Sequence, residues 1–242
     1  MKKILLLQYR TDESREHEQL CLINKLGITS AELDVRSVIL REELPSLEQL
    51  REYRGVIGGA SGQFNITDLS HDVQKSIERT YPLMEEIIQQ DMPYLGICFG
   101  HQVLAHLFGG RVERDCAQAE SGSSKIMLTY LGIMSPLYET MDRTFYAVNG
   151  HKESVVELPR GAQLLAISQR CQIQSYQIKR NIFATQFHPE LDLEDVRFRL
   201  TLRPEYCLGR TVDEIMAEYE DVSLSARILH HFRGVMEREE GK

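Results

Sequence analysis

The residue of this sequence best suited to chemistry is a cysteine set between two glycines. Gly96 and Gly100 flank Cys98 at positions i−2 and i+2, after an apolar run and before a helical stretch. This pattern predicts a sharp strand-to-helix turn, which needs small neighbours and presents the central side chain at the start of the helix. The helix dipole and the free N–H groups there favour a thiolate. Cys98 is therefore predicted to be a nucleophile, against the ordinary alternative of a cysteine that only fills the core.

A histidine and a glutamate two positions apart follow a later apolar run. Side chains two apart in a strand point the same way, so Glu190 is expected to reach the ring of His188. A carboxylate bound to one ring nitrogen makes the other nitrogen a stronger base. His188 is thus predicted to be the base for Cys98, the alternative being a partly buried histidine satisfied by hydrogen bonds. His101, three residues after Cys98, is a weaker competitor because no carboxylate is evident to orient it.

A glycine pair, Gly58 and Gly59, follows another buried run. Such a pair is usually only a turn, but parallel strands deliver their loops to one edge of a sheet, where ligands gather. The N–H groups of Gly59 and Phe99 are therefore predicted to form a two-donor oxyanion hole. Gln102, one helical turn after Cys98, is predicted to bind a polar substrate; the alternative is a solvated helix residue.

Composition narrows the class of protein. A chain of 242 residues is long enough for one sizeable α/β domain, and its net charge of −8 argues against nucleic acid or an anionic membrane as a partner. The five cysteines are odd in number and contain no C-x-x-C pair, which favours reduced thiols over a disulfide framework or a zinc site. No apolar stretch is long enough for a signal peptide or a membrane span. We expect a cytoplasmic enzyme without a membrane anchor.

The first half of the chain alternates between strand and helix patterns. This alternation predicts a doubly wound, mostly parallel α/β sheet whose carboxyl edge carries the residues above. The predicted strands lie at Ile4–Leu7, around Ala31–Asp34, at Gly55–Ile57 and at 93–97; the predicted helices lie at 14–26, at 71–90 with a start or kink near Pro82, and after Cys98.

The second half predicts an antiparallel elaboration that returns to the main sheet. Turns are expected at Asn149-Gly150 and Arg160-Gly161. His151, beside the first turn, is expected in a solvated loop, the alternative being that it lines the site. Residues 1–242 are predicted to form a single domain, with 191–242 as a helical appendage that contains helices near 211–219 and 223–238. The predicted strands here are Lys125–Thr129, Thr144–Val148, Gln163–Ser168, Cys171–Ile178 and Ile182–Phe187.

Together these motifs resemble the class I glutamine amidotransferase family. Its G-x-C-x-G-x-Q motif matches residues 96–102, and its second signature matches Thr185–Glu190. The resemblance is strongest to the glutaminase domain of GMP synthases. It implies a flavodoxin-like fold, with Cys98 attacking the side-chain amide of glutamine. Gly58 and Gly59 would form the oxyanion loop, and the N–H groups of Gly59 and Phe99 would hold the oxyanion. His188, oriented by Glu190, would protonate the leaving ammonia, and water would release glutamate. No metal or organic cofactor is implied.

Two other functions stay open at this stage. The sequence contains no phosphate loop of the S-G-G-x-D-S kind, so a separate synthetase subunit is expected to accept any ammonia that is transferred. One alternative is a stand-alone hydrolase of γ-glutamyl peptides or conjugates, which would use the same three residues. The other is a catalytically silent binding protein of the same fold, and the intact set of Cys98, His188 and Glu190 argues against it.

Overall fold

A nine-stranded mixed sheet forms the centre of the computed structural model, which describes residues 2–241. Its strand order is β2-β1-β3-β4-β11-β10-β9-β6-β7. The strands are β1 (Lys3–Gln8), β2 (Leu33–Ser37), β3 (Tyr53–Gly58), β4 (Tyr94–Ile97), β6 (Glu120–Leu128), β7 (Thr144–His151), β9 (Ala162–Ser168), β10 (Ser175–Ile178) and β11 (Ile182–Thr185); β5 (Arg111–Arg114) and β8 (Glu153–Glu157) pair separately.

Helices cover both faces of the parallel half, as its buried strands require. On β1, alternate residues belong to different cores: Ile4 and Leu6 pack on one face, and Leu5 and Leu7 on the other. The helices are α1 (Ser14–Leu26), α2 (His71–Glu78), α3 (Tyr81–Gln89), α4 (Phe99–Leu107), α5 (Tyr130–Met134), α6 (Leu193–Leu202), α7 (Val212–Ala217) and α8 (Arg227–Glu240). Among residues 2–241, no helix has both the length and the apolarity needed to cross a bilayer.

The three central parallel strands end at the same level. Gly58 of β3 lies opposite Gly96 of β4, and Thr185 of β11 lies opposite Ile97. The loop after Gly58, the residue Cys98 and the segment after Thr185 therefore leave the sheet side by side. This confirms the predicted parallel arrangement and explains how motifs distant in sequence meet.

The predicted antiparallel elaboration is also confirmed, with corrections to its details. Strands β10, β9, β6 and β7 continue the sheet in antiparallel pairs from β11. The turn predicted at Asn149-Gly150 is wrong, because both residues lie inside β7, where Gly150 pairs with Ser121. The predicted strand at Cys171–Ile178 begins only at Ser175.

In the first half, the strand predicted around Ala31–Asp34 starts at Leu33, since Ser30–Glu32 form a 3-10 turn. The predicted helix at 71–90 is divided into α2 and α3 near Pro82, as expected.

The segment after Glu190 folds back over the carboxyl edge of the sheet. Helix α6, which the sequence patterns did not predict, precedes the predicted α7 and α8. A small apolar cluster joins this segment to β7 and α1: Cys21, Val148, Leu191, Val196, Leu200, Tyr206, Cys207, Ile215 and Val222. That residues 1–242 form one domain stays a prediction.

A substitution at Gly100 tests the contact between α4 and the strand ends. A methyl group there would lie 2.2 Å from the carbonyl oxygen of Gly58, an overlap that only a backbone shift relieves. We expect Gly100→Ala to lower the free energy of unfolding by about 2–3 kcal/mol, a typical cost of overpacking. Urea unfolding followed by circular dichroism measures it.

Gly234→Ala is the matched control. Gly234 also lies inside a helix, but a methyl group there would meet nothing closer than Arg238 Nη1 at 3.5 Å. We expect this variant to gain about 0.5–1 kcal/mol because alanine is the better helix former. Equal effects of the two variants would contradict the proposed close packing.

Candidate active site

Cys98 occupies a strained turn between β4 and α4. Its backbone has φ 50° and ψ −97°, a region that L-residues avoid and that costs on the order of 1–3 kcal/mol. The Cys98 N–H donates to the Thr185 carbonyl at 2.8 Å, which ties the turn to β11. The predicted need for small neighbours is visible at Gly96, where a methyl group would lie 2.8 Å from the Gly100 oxygen. The buried thiol is thus held at the first turn of α4.

His188 and Glu190 lie together beside this thiol. The Nδ1 atom of His188 donates to Glu190 Oε1 at 2.8 Å, and both side chains are buried. The N–H of His188 donates to the Val148 carbonyl at 2.8 Å, so β7 fixes the position of the histidine. Cys98 lies close enough to this ring to raise the pKa of His188. The structure therefore brings together the three residues that the motifs singled out.

His188 and Glu190 each stabilise the charged form of the other. Burial alone would lower the pKa of His188, but Glu190 and then Cys98 outweigh it and raise the pKa to about 9. Burial would raise the pKa of Glu190, but His188 outweighs it and the net pKa lies below that of an ordinary glutamate. At neutral pH the ring is therefore a cation held between a carboxylate and a sulfur.

The side-chain amides of Gln102 and Gln186 connect the thiol of Cys98 to the backbone of Glu153. Gln102 donates from Nε2 to the Glu153 carbonyl at 2.8 Å and to Gln186 Oε1 at 3.1 Å. Gln186 in turn donates from Nε2 to Cys98 Sγ at 3.6 Å. Gln102 is buried, so the alternative of a solvated helix residue is wrong. Gln186 was part of the quoted signature, but nothing in the sequence showed that its amide points at the sulfur.

Of the two N–H groups expected to hold the oxyanion, one is free within the part of the chain that the structure describes, and the other is already hydrogen-bonded. The N–H of Phe99 is the first of α4 and has no acceptor within the helix. The N–H of Gly59 instead donates to the Leu7 carbonyl at 3.0 Å, because the chain continues its pairing with β1 for one residue beyond β3. Gly58 lies beneath Gly100 and supports the turn. The expectation that Gly59 offers a free donor is not met in this conformation.

A buried glutamate that the motifs did not indicate holds this loop. Glu18 of α1 accepts from the Ala60 N–H at 2.8 Å, from Gln8 Nε2 at 3.0 Å and from Arg10 Nε at 3.2 Å. In the sequence Glu18 is one of several acidic residues of a helix, and only the fold shows that it faces inward.

The two other candidate histidines are buried, and His151 lines the small cavity that Cys98 also lines. His101 is fully buried against Tyr176, and burial lowers the pKa of His101 to about 3, so it is a poor base at neutral pH. His151 was predicted in a solvated loop, which is wrong: it ends β7 and is 1% exposed. Its ring nitrogens lie 3.1 Å from the Glu153 carbonyl and 3.3 Å from Glu120 Oε2.

Two clusters among residues 2–241 contain side chains of the kind that bind metals. One comprises His17, Cys21 and Asp195, and the other Glu120, His151 and Cys171. In the first, His17 Nε2 lies 3.0 Å from Asp195 Oδ1, the distance of an ordinary hydrogen bond. Neither cluster contains Cys98, His188 or Glu190.

Comparison with known proteins identifies the family. The sequence profile described as glutamine amidotransferase class-I matches residues 32–198, a range that includes the turn at Cys98 and the pair of His188 and Glu190. The chain belongs to the class I glutamine amidotransferases. This confirms the resemblance inferred from the motifs, and the enzyme class follows from it.

Relatives of this class I glutamine amidotransferase include two kinds of protein. A glutamine-hydrolyzing GMP synthase subunit of Methanosphaera stadtmanae is 38% identical over 117 residues, 48% of this chain and 61% of that protein. Gamma-glutamyl peptidase 4 of Arabidopsis thaliana is 30% identical over 161 residues, 64% of this chain and 61% of that protein. The chain thus spans about three fifths of the length of the curated relatives it matches first.

Solved structures show the same fold. A glutamine amidotransferase from Thermotoga maritima has a TM-score of 0.74 at 18% identity, covering 97% of both chains. A glutamine amido transferase from Methylobacillus flagellatus has a TM-score of 0.78 at 18% identity, covering 98% of this chain and 95% of that one. The predicted α/β class, with its mostly parallel sheet, is confirmed.

Removing the Glu190 charge tests the electrostatics of the pair. In Glu190→Gln we expect the pKa of His188 to fall from about 9 to near or below its ordinary 6.5. Burial, which lowers this pKa, would then outweigh the raising effect of Cys98. In the wild type, the raised pKa stabilises the fold fully below pH 6.5, and this contribution is lost as the pH rises through 9. The variant should show a flatter dependence of unfolding free energy over that range.

Nuclear magnetic resonance titration of the histidine rings measures the pKa, and urea unfolding at several pH values measures the stability. Glu237→Gln is the control, since it removes a carboxylate that pairs with Arg233 at the surface. An unchanged His188 titration in Glu190→Gln would show that the carboxylate does not set the charge of the ring.

Proposed function

We propose that this chain hydrolyses the side-chain amide of glutamine through a γ-glutamyl thioester on Cys98, giving glutamate and ammonia. The observation that carries the proposal is the buried His188–Glu190 pair beside the strained cysteine. A thiol, a base and a carboxylate that orients the base are the parts required for acyl transfer through sulfur. Membership of the amidotransferase family supports the choice of an amide substrate.

The proposed steps follow from these positions. The sulfur of Cys98 attacks the amide carbon, and the N–H of Phe99 stabilises the oxygen that becomes negative. His188 gives a proton to the leaving nitrogen, the C–N bond breaks, and ammonia departs. Water then attacks the thioester while His188 takes its proton and the C–S bond breaks with its electron pair on sulfur. Glutamate is freed, and the sulfur of Cys98 and the protonated ring of His188 return to the state that they had before the attack. Glu190 keeps the ring oriented and stabilises its charge.

A second oxyanion donor requires a local change in this mechanism. Gly59 N–H is bonded to the Leu7 carbonyl. For Gly59 to contribute, its peptide has to leave that carbonyl and turn toward the carbonyl of the substrate. Phe99 is therefore the donor available in the conformation described.

The fate of ammonia and the location of the protein are parts of the same proposal. Relatives named as glutamine-hydrolyzing subunits of GMP synthase support an acceptor that is a separate synthetase chain. The cysteines at 21, 98, 116, 171 and 207 are all free, which supports a reducing, cytoplasmic setting.

A second candidate is the hydrolysis of γ-glutamyl peptides or conjugates by the same three residues. The similarity to a gamma-glutamyl peptidase supports it. So does the cavity beside His188, which has room for more than ammonia on that side of the reacting carbon. The two candidates share the thioester and differ in the amine that leaves.

Glutamate release from glutamine and from γ-glutamyl peptides tests the function. We expect Cys98→Ala to lower the rate at least about 10³-fold, because the variant lacks the nucleophile. Cys116→Ala is the control, since Cys116 is exposed and should leave the rate unchanged. A glutamine-like diazoketone should label Cys98, as measured by peptide mass spectrometry. Full hydrolysis by Cys98→Ala, or a wild type that is neither active nor labelled, would contradict the proposal.

A further inference from the structure

A cavity of about 50 Å³ lies beside His188, beneath the segment that follows Glu190. Tyr206 lines both this cavity and a smaller one that contains Cys98, Phe99 and Gln102. The thiol and the oxyanion donor thus face one space, and the histidine faces the next. Because His188 delivers the proton to the leaving nitrogen, the cavity beside it is the side on which the leaving amine would lie.

One arginine in this cavity lacks the partners that a buried charge requires. Arg199 of α6 is 9% exposed and lines the cavity. Its Nε donates to His17 Nδ1 at 2.9 Å, while its Nη1 and Nη2 atoms have no hydrogen-bond partner among residues 2–241. A buried guanidinium with two unpaired nitrogens is costly unless an anion binds it.

Among residues 2–241, no neighbouring charged group forms a hydrogen bond with Nη1 or Nη2 of Arg199. Arg10 and Arg203 line the same cavity. The acids close by form their ion pairs elsewhere: Glu18 with Arg10, Asp12 with Arg203, and Glu190 Oε1 with His188. Glu18 and Glu190 therefore act on Arg199 through their charge, without a hydrogen bond to its Nη1 or Nη2 atom. Burial and then the charge of Arg10 lower the pKa of Arg199 to about 10, which leaves it protonated at neutral pH.

We infer that Arg199 binds the carboxylate of the leaving group of a γ-glutamyl compound, with Arg10 beside it. The inference rests on the proposed thioester chemistry and specifies its substrate. Two free N–H-bearing nitrogens on one planar guanidinium match the two oxygens of a carboxylate. A buried water needs roughly 10–15 Å³ of such space, so the cavity admits only a few heavy atoms. The substrate is then a γ-glutamyl amino acid with a small second residue.

Paired substrates test this assignment. Wild-type protein is given γ-glutamyl-glycine and γ-glutamyl-glycinamide, which differ only in the terminal carboxylate. We expect kcat/KM to be about 10- to 100-fold higher for the acid, the usual value of a charge-assisted pair of hydrogen bonds. Arg199→Gln should remove this preference, lowering kcat/KM for the acid while changing that for the amide less than about 3-fold.

Two further variants separate recognition from folding. Arg197→Gln, on the same helix, removes an exposed arginine that pairs with Asp213 and should keep the wild-type preference. Arg199→Lys keeps the charge without the planar fork and should retain part of the preference. Thermal unfolding verifies that each variant is folded.

Binding separates this inference from the function on which it rests. Calorimetric titration of Cys98→Ala with the same two compounds needs no turnover, and Cys98→Ala/Arg199→Gln should bind both compounds alike. Tighter binding of the acid supports the site even if the labelling of Cys98 fails. Equal binding of acid and amide by Cys98→Ala, or no binding of the acid, overturns it even if glutamine is hydrolysed. Weaker binding of glutamine itself in the Arg199 variant, by as much as for the acid, would assign Arg199 to the α-carboxylate and also overturn it.

Discussion

The site depends on direct contact between backbones where α4 meets the ends of β3 and β4. The oxygen of Gly59 accepts from the N–H of Gly100, and the oxygen of Thr185 accepts from that of Cys98, so three strands hold one turn. A side chain at Gly96 or Gly100 would overlap the backbone of the facing element and force the two apart. Because packed interiors do not deform continuously, the strained backbone of Cys98 persists only while every one of these contacts is kept. This packing of backbone against backbone therefore also sets the direction in which the Cys98 side chain points.

Local patterns predicted the parts of the molecule in which sequence and structure are close neighbours. The cysteine turn, the pair at 188 and 190, and the buried strands each have a local signature, and all of them were found. Sequence patterns gave wrong predictions for residues whose conformation is set by a strand far away in the sequence. Asn149-Gly150 has the composition of a turn, yet pairing with β6 keeps it extended. The N–H of Gly59 was expected to face the substrate, but it donates to the Leu7 carbonyl of β1. The residues around Gly59 do not reveal this pairing with β1.

The segment after Glu190 shows the same limit most clearly. It has no motif, and its arginines look like those of any charged helix. Only the fold places Arg199 and Tyr206 over the carboxyl edge of the sheet, beside residues from the first and third quarters of the chain. The electrostatic character of the site is therefore in part a tertiary property, because the buried Glu18 of α1 finds its cation, Arg10, outside its own helix.

One bridge in the antiparallel half has a wider consequence. Strand β7 is the last of the nine in sheet order, four places from β11, yet its Val148 pairs with His188, three residues beyond the end of β11. The antiparallel strands therefore curl round until the outermost one returns to the middle, like a barrel left partly open. At that point β7 offers no free edge on which another chain could add a strand. The bond that positions the histidine thus also covers this part of the β7 edge.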